Sequence, residues 1–255
     1  MLIIKILQKF LNVFGFQIIS KRSPEYFKDT IPEIHNSDQK LISECIKYSS
    51  NSADLAMWSL INSVKYILQN NIKGDFVECG VFRGGNVILM QKLLDKFNVK
   101  KKIYAYDTYE GMSLPTSLDI DIEGNKASHR LDDAAKENNK KNVWCYSELN
   151  DVKNNILKSC KNNYVIPIKG MVEDTLKVKS NLPKNISLLR LDTDFYSSTL
   201  VELKKLYPRL SKGGILIIDD YGYWRGARKA VDEYFKDKKI LMHRIDFSVR
   251  LIVKN

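Results

Sequence analysis

The 255 residues suffice for one large domain or one domain with an extension, and 44% hydrophobic content excludes a chain disordered throughout. Four widely spaced cysteines, Cys45, Cys79, Cys145 and Cys160, form no Cys-x-x-Cys pair; this argues against structural zinc and a disulfide framework and points to a reduced cytoplasm. A net charge of +11 favours anionic partners, whether phosphorylated small molecules, nucleic acid or anionic lipid.

The first stretch, MLIIKILQKFLNVFGFQIISKR, is interrupted by Lys5 and Lys9 and lacks a small-residue cleavage site, so it reads neither as a signal peptide nor as a membrane span. Its apolar residues recur at helical spacing. Two readings stay open for residues 1–20: a helix lying on a membrane surface, or one packed on its own domain or a dimer partner. Residues 36–72 read as helical with a break near Ser49–Asn51, and Asp54 is placed to cap the second helix. Residues 1–50 are therefore expected to be a helical extension, and residues 51–255 the main domain.

From residue 74 the pattern changes. GDFVECG reads as a strand, NVILMQKLLDKF as a helix and KKIYAYD as a strand. A polar stretch over 108–142 follows, with a short helix expected near 131–138. At that length it reads as a lid or substrate loop, placed at about 112–142. Then come a helix (DVKNNILKSC), strands at YVIPIKG and ISLLRLD, a helix (STLVELKKLYPRL), a strand (GGILIIDD) and a helix (ARKAVDEYFKD). The tail alternates at Phe247, Val249, Leu251 and Val253, predicting one or two final strands. Strands alternating with helices imply an α/β fold, a Rossmann-like doubly wound and mostly parallel sheet. In such sheets ligands bind beyond the carboxyl ends of the strands. That rule gathers Glu78, Asp107, Gly170, Asp192, Asp194, Asp219 and Asp220 on one rim.

Two features of that rim carry chemistry. In DFVECGVFRGGN the glycines Gly80, Gly84 and Gly85 permit close approach of backbone and ligand. Their spacing departs from the dinucleotide fingerprint G-x-G-x-x-G, and Glu78 beside them repels phosphate but suits a cationic amino group. Asp107 ends the next strand about 20 residues on, where an acid meets ribose hydroxyls. A donor with an amino acid part, a positive centre and a ribose fits, and S-adenosylmethionine has all three. The second feature is the pair of aspartate clusters in RLDTDFYSSTLVELKKLYPRLSKGGILIIDDYG, each ending an apolar run. Like charges brought together call for a compensating cation.

Together GDFVECGVFRGGN, YAYDTYEGM, IKGMVEDTL, RLDTDFYSSTLVELKKLYPRLSKGGILIIDDYG and ARKAVDEYF resemble the macrocin O-methyltransferase family, from about residue 50 to the C-terminus. The resemblance implies methyl transfer from S-adenosylmethionine to a sugar hydroxyl, with a divalent cation, usually Mg²⁺, held by Asp192, Asp219 and Asp220. It implies a donor site on Glu78, Gly80, Arg83, Gly84, Asn86, Asp107, Thr108 and Met171. Two residues are candidates for the base that deprotonates the acceptor, Asp194 and His129 of the SHR in the lid. The acceptor is expected to be a small-molecule sugar, nucleotide-linked and destined for a capsule or other surface polysaccharide, and the enzyme a cytoplasmic homo-oligomer. Cys79 and Phe82 depart from the family pattern, and the lid over 113–140 matches it poorly. Two rival readings, an NAD(P)-dependent oxidoreductase and an RNA methyltransferase, lack their signatures: no G-x-G-x-x-G, and no appended RNA-binding motif with stacking aromatics. No nucleic-acid partner is expected.

Overall fold

A computed structural model describes residues 2–16, 18, 32–49, 54–138 and 144–255. The chain divides into two units, residues 1–44 and 45–255. The first holds α1 (Leu2–Asn12) and nearly all of α2 (Asn36–Cys45). Of the expected break near Ser49–Asn51, Ser49 ends a short 3₁₀ turn while residues 50 and 51 lie outside the described residues, as do 19–30 of the N-terminal extension and 139–142 of the lid.

The second unit is built on a seven-stranded sheet. Its strands are β1 (Asp75–Cys79), β2 (Ile103–Asp107), β3 (Val165–Lys169), β4 (Ile186–Leu191), β5 (Leu210–Ile218), β6 (Met242–Arg244) and β7 (Arg250–Val253). Their order is β3-β2-β1-β4-β5-β7-β6. β1 to β5 run parallel, and the expected final strands form an antiparallel pair, β7 lying against β5 and β6 against β7. Every residue of β4 is buried, as a central parallel strand covered on both faces requires.

The helices are α3 (Asp54–Gln69), α4 (Gly85–Lys96), α5 (Ala127–Asn138), α6 (Leu149–Ser159), the single turn α7 (Val172–Thr175), α8 (Tyr196–Leu206) and α9 (Arg225–Phe235). The expected cap Asp54 is the first residue of α3. α9 shows how a helix covers such a sheet: Ala227, Ala230, Val231 and Phe235 are buried, while Arg228, Lys229, Asp232 and Glu233 face water at the intervening positions. Val231 and Phe235 join Leu189, Leu203, Leu216 and Ile252 in the main core.

The ladder continues past the strand ends. The Gly80 amide donates to the Tyr106 carbonyl, the Asp192 amide to Cys79, the Asp219 amide to Leu191 and the Gly170 amide to Asp107, each at 2.9 Å. The residues that follow the strands are thus held level with one another, at the point between β1 and β4 where the strand order reverses.

Candidate active site

The four aspartates at the ends of β4 and β5 line one cleft of about 340 Å³. Beneath them lies a side chain whose role the sequence did not reveal. Arg190 of β4 is only 3% exposed. Its Nη1 donates to Glu78 Oε1 at 2.8 Å and to Asp192 Oδ2 at 2.7 Å, and its Nη2 donates to Asp219 Oδ1. One guanidinium therefore binds carboxylates at the ends of three adjacent strands. The run SLLRL reads as an apolar strand, and only the arginine's position two residues before Asp192 hints at this function.

Asp192 and Asp219 are each held by Arg190 through one oxygen. Asp220 is buried, and its Oδ2 accepts the Asp194 amide at 3.0 Å. Asp194 has a left-handed backbone, φ +67°, at the sharp turn between β4 and α8. Asp192, Asp194 and Asp220 each bring an oxygen within 4.8 Å of the others. That is a donor set of the hard-oxygen kind that Mg²⁺ and Ca²⁺ prefer.

The charge is under-compensated. Burial, then the Asp192 charge, pushes Asp194 up to about 7. Burial pushes Asp219 up to about 7 despite Arg190, with Asp192 and Asp194 adding to the shift. Asp220 goes well above the usual carboxylate range, through burial first and its three acidic neighbours next. Without a cation the cluster therefore retains protons near neutrality.

Thr193, between the two acids, is fixed from below. Its hydroxyl donates to Glu202 Oε1 at 3.0 Å, and its carbonyl accepts from Ser198 Oγ at 3.2 Å. Glu202 is fully buried on α8, and burial pushes it up to about 8.

Of the residues expected at a donor site, Gly80, Asp107, Thr108 and Met171 line a smaller hollow that shares Gly80, Asp107, Gly111, Met112 and Asp192 with the main cleft. The other four residues expected there are placed differently. Glu78 is 1% exposed and the cation it meets is Arg190; burial raises it to about 8. Asn86 is buried in the first turn of α4. Arg83 is exposed, its guanidinium over the Phe82 ring, and Gly84 is the left-handed cap of α4 at φ +93°. None of these four lines either hollow. The close approach that Gly80 permits is to the protein itself: a Cβ there would sit 1.8 Å from the Asp192 carbonyl oxygen. Asp107 is likewise turned to the main chain. Its Oδ2 accepts from the amides of Val81 (2.7 Å) and Phe82 (3.0 Å), and its Oδ1 from Tyr109 (2.7 Å). It shapes the glycine turn.

The stretch expected as a lid contributes Met112 and Arg130 to the lining of the main cleft. α5 starts at Ala127, earlier than the helix expected near 131–138. His129 is exposed on it and does not line the cleft; its neighbour Arg130 does. The Arg130 guanidinium lies 5.4 Å from the ring centres of both Tyr223 and Trp224 and donates to Asp121 Oδ2 at 2.6 Å. With Trp144 and Phe195 these rings form an aromatic cluster beside the aspartates.

A family model described as Macrocin-O-methyltransferase (TylF) matches residues 53–250. The chain belongs to this family. Among its relatives, a demethyldecarbamoylnovobiocin O-methyltransferase of Streptomyces niveus is 32% identical over 177 residues, which are 67% of this chain and 62% of the relative. A mycinamicin III 3''-O-methyltransferase of Micromonospora griseorubida is 29% identical over 178 residues, 69% of this chain and 66% of that one. The match thus spans roughly three fifths to two thirds of the relatives' length. Among solved structures, that of the O-methyltransferase NovP superposes with a TM-score of 0.65 at 27% identity, covering 83% of this chain and 88% of that one.

Proposed function

We propose that the protein transfers a methyl group from S-adenosylmethionine to a sugar hydroxyl, with the help of a divalent cation. The observation that carries this reading is the convergence of four aspartates at the sheet's switch point in a chain of this family. S-adenosylmethionine supplies a methyl group already activated by its sulfonium. A divalent cation lowers the pKa of a sugar hydroxyl and orients it. The donor lies along Gly80, Thr108 and Met171, above the turn that Asp107 holds. Asp192, Asp219 and Asp220 hold the cation, the first two oriented as a pair by Arg190.

Asp194 serves as base. It lines the cleft beside Asp192, Asp219 and Asp220, and a bound cation would shift its carboxyl below the metal-free value toward the ionised form that a base needs. The aromatic wall of Trp144 and Tyr223 offers a sugar ring an apolar face and excludes water from the reacting groups. The finer reading, a nucleotide-linked sugar bound for a surface polysaccharide, draws on the net charge of +11 and on the family resemblance.

A second assignment, with Asp194 in the ligand set in place of Asp219, is favoured by the 4.8 Å grouping of Asp192, Asp194 and Asp220. Calorimetric Mg²⁺ titration and turnover of two variants separate them. On the main reading Asp194→Asn keeps Mg²⁺ affinity and loses about 10²–10⁴-fold in kcat, whereas Asp219→Asn loses the cation as well. The opposite pattern exchanges their roles. The donor is tested by thermal unfolding: S-adenosylhomocysteine raises the midpoint and NAD⁺ does not. A shift with NAD⁺ alone overturns the proposal.

A further inference from the structure

The cleft leaves the N-terminal segment unexplained. α1 is followed by a turn at Gly15, φ +77°, where the Phe16 amide donates to the Leu11 carbonyl. Gln8 ties this turn to the helix: its Nε2 donates to the Phe16 carbonyl at 3.2 Å and its Oε1 accepts the Ile18 amide at 2.6 Å. Yet most of the segment's described apolar side chains are exposed. Ile4, Leu7, Phe10, Val13, Phe14 and Phe16 are 48–80% exposed, with Phe10 and Phe14 edge to face at 5.3 Å. Isolated apolar side chains at a surface need no explanation, but six within thirteen residues form a patch that water disfavours.

The polar residues of α1 say what covers it. Lys5, Gln8, Lys9 and Asn12 fall within one arc about 100° wide, and apolar residues occupy the rest of the circumference. Residues 1–22 contain Lys5, Lys9, Lys21 and Arg22 and no acidic residue; the first is Glu25. We infer that α1 and its turn bind an anionic lipid surface, lying in the interface with Leu7, Phe10 and Phe14 toward the acyl chains and the lysines at the headgroups. Pairing of the segment with the same segment of a second copy would set two acid-free cationic stretches side by side. A lipid surface of opposite sign satisfies both faces. No helix among the described residues is long and apolar enough to cross a membrane, so the attachment is peripheral.

Sedimentation of the full-length protein with vesicles of phosphatidylcholine containing phosphatidylglycerol, and with phosphatidylcholine alone, tests this. Binding is expected to the anionic vesicles and to weaken with salt. The double variant Leu7→Glu/Phe10→Glu lowers partitioning at least about tenfold, and Lys9→Gln lowers it about fivefold. Both keep the midpoint shift with S-adenosylhomocysteine, which shows that the main domain is folded. Absence of wild-type binding, or equal binding by the double variant, overturns the inference. So does a fall in molar mass, read by light scattering without vesicles, when the two glutamates are introduced; the occupant is then a second copy.

Discussion

At the scale of single residues the site is defined by protons it holds without a cation. Asp194 and Asp219 sit near 7, Glu78 and Glu202 near 8, and Asp220 is raised further, all chiefly by burial. Each binds more protons folded than unfolded between its ordinary carboxylate value and its raised one. Stability therefore declines as pH rises through that window, from about 4 to about 8. In metal-free buffer the urea midpoint is expected to fall between about pH 6 and about pH 8.5. Saturating Mg²⁺ flattens the fall, because a cation takes the place of the protons. A metal-free midpoint that stays level across that range would show that the carboxylates are already ionised at the acid end and that their charge is compensated within the protein.

At the scale of elements, the lid is docked more firmly than its polar sequence indicates. Asp119 is 1% exposed; its Oδ2 accepts the amide and hydroxyl of Thr116, and its Oδ1 accepts the Tyr196 amide at 2.7 Å. Tyr196 is the first residue of α8, so a lid carboxylate caps the helix that follows Asp192 and Asp194. The adjoining Ile120 carbonyl accepts the Arg225 amide at the start of α9. Gly226 leaves room for this: a Cβ there would sit 2.0 Å from Asp119 Oδ1. Asp119→Ala should therefore cost about 1–2 kcal/mol in chemical denaturation and lower kcat as well, since the turn bearing Asp194 leads into α8. Full turnover in a destabilised variant would mean that the cap serves the fold alone.

The strands were legible because buried parallel strands are apolar along their whole length, as Ile215–Ile218 is, and the aspartates because they break those runs abruptly. Arg190, Asp107 and Asp119 were not legible as anchors. A charged side chain is read as facing water or ligand, and only tertiary placement shows that its partner is another part of the chain. His129 shows the converse: its neighbour Arg130 reaches the cleft, and which of two adjacent residues on a helix does so depends on how α5 is seated.

On the scale of the whole molecule, the lining of the cleft runs from Ala56 to Val249, and the family match from residue 53 to 250. The cleft and the family match thus both lie within the second unit. Removing residues 2–18 is expected to leave kcat on a freely dissolved acceptor unchanged, measured by release of S-adenosylhomocysteine. A large loss would assign the N-terminal segment to the reaction itself. The guanidinium of Arg190 has a consequence for anyone who redesigns this cleft. It joins Glu78 on β1 to Asp192 and Asp219 beyond β4 and β5, so the ends of three strands share one fixed positive charge. A substitution at Glu78, which lines neither hollow, will release that charge toward the aspartates and retune the cleft from behind, so libraries that vary the lining alone will miss combinations that work.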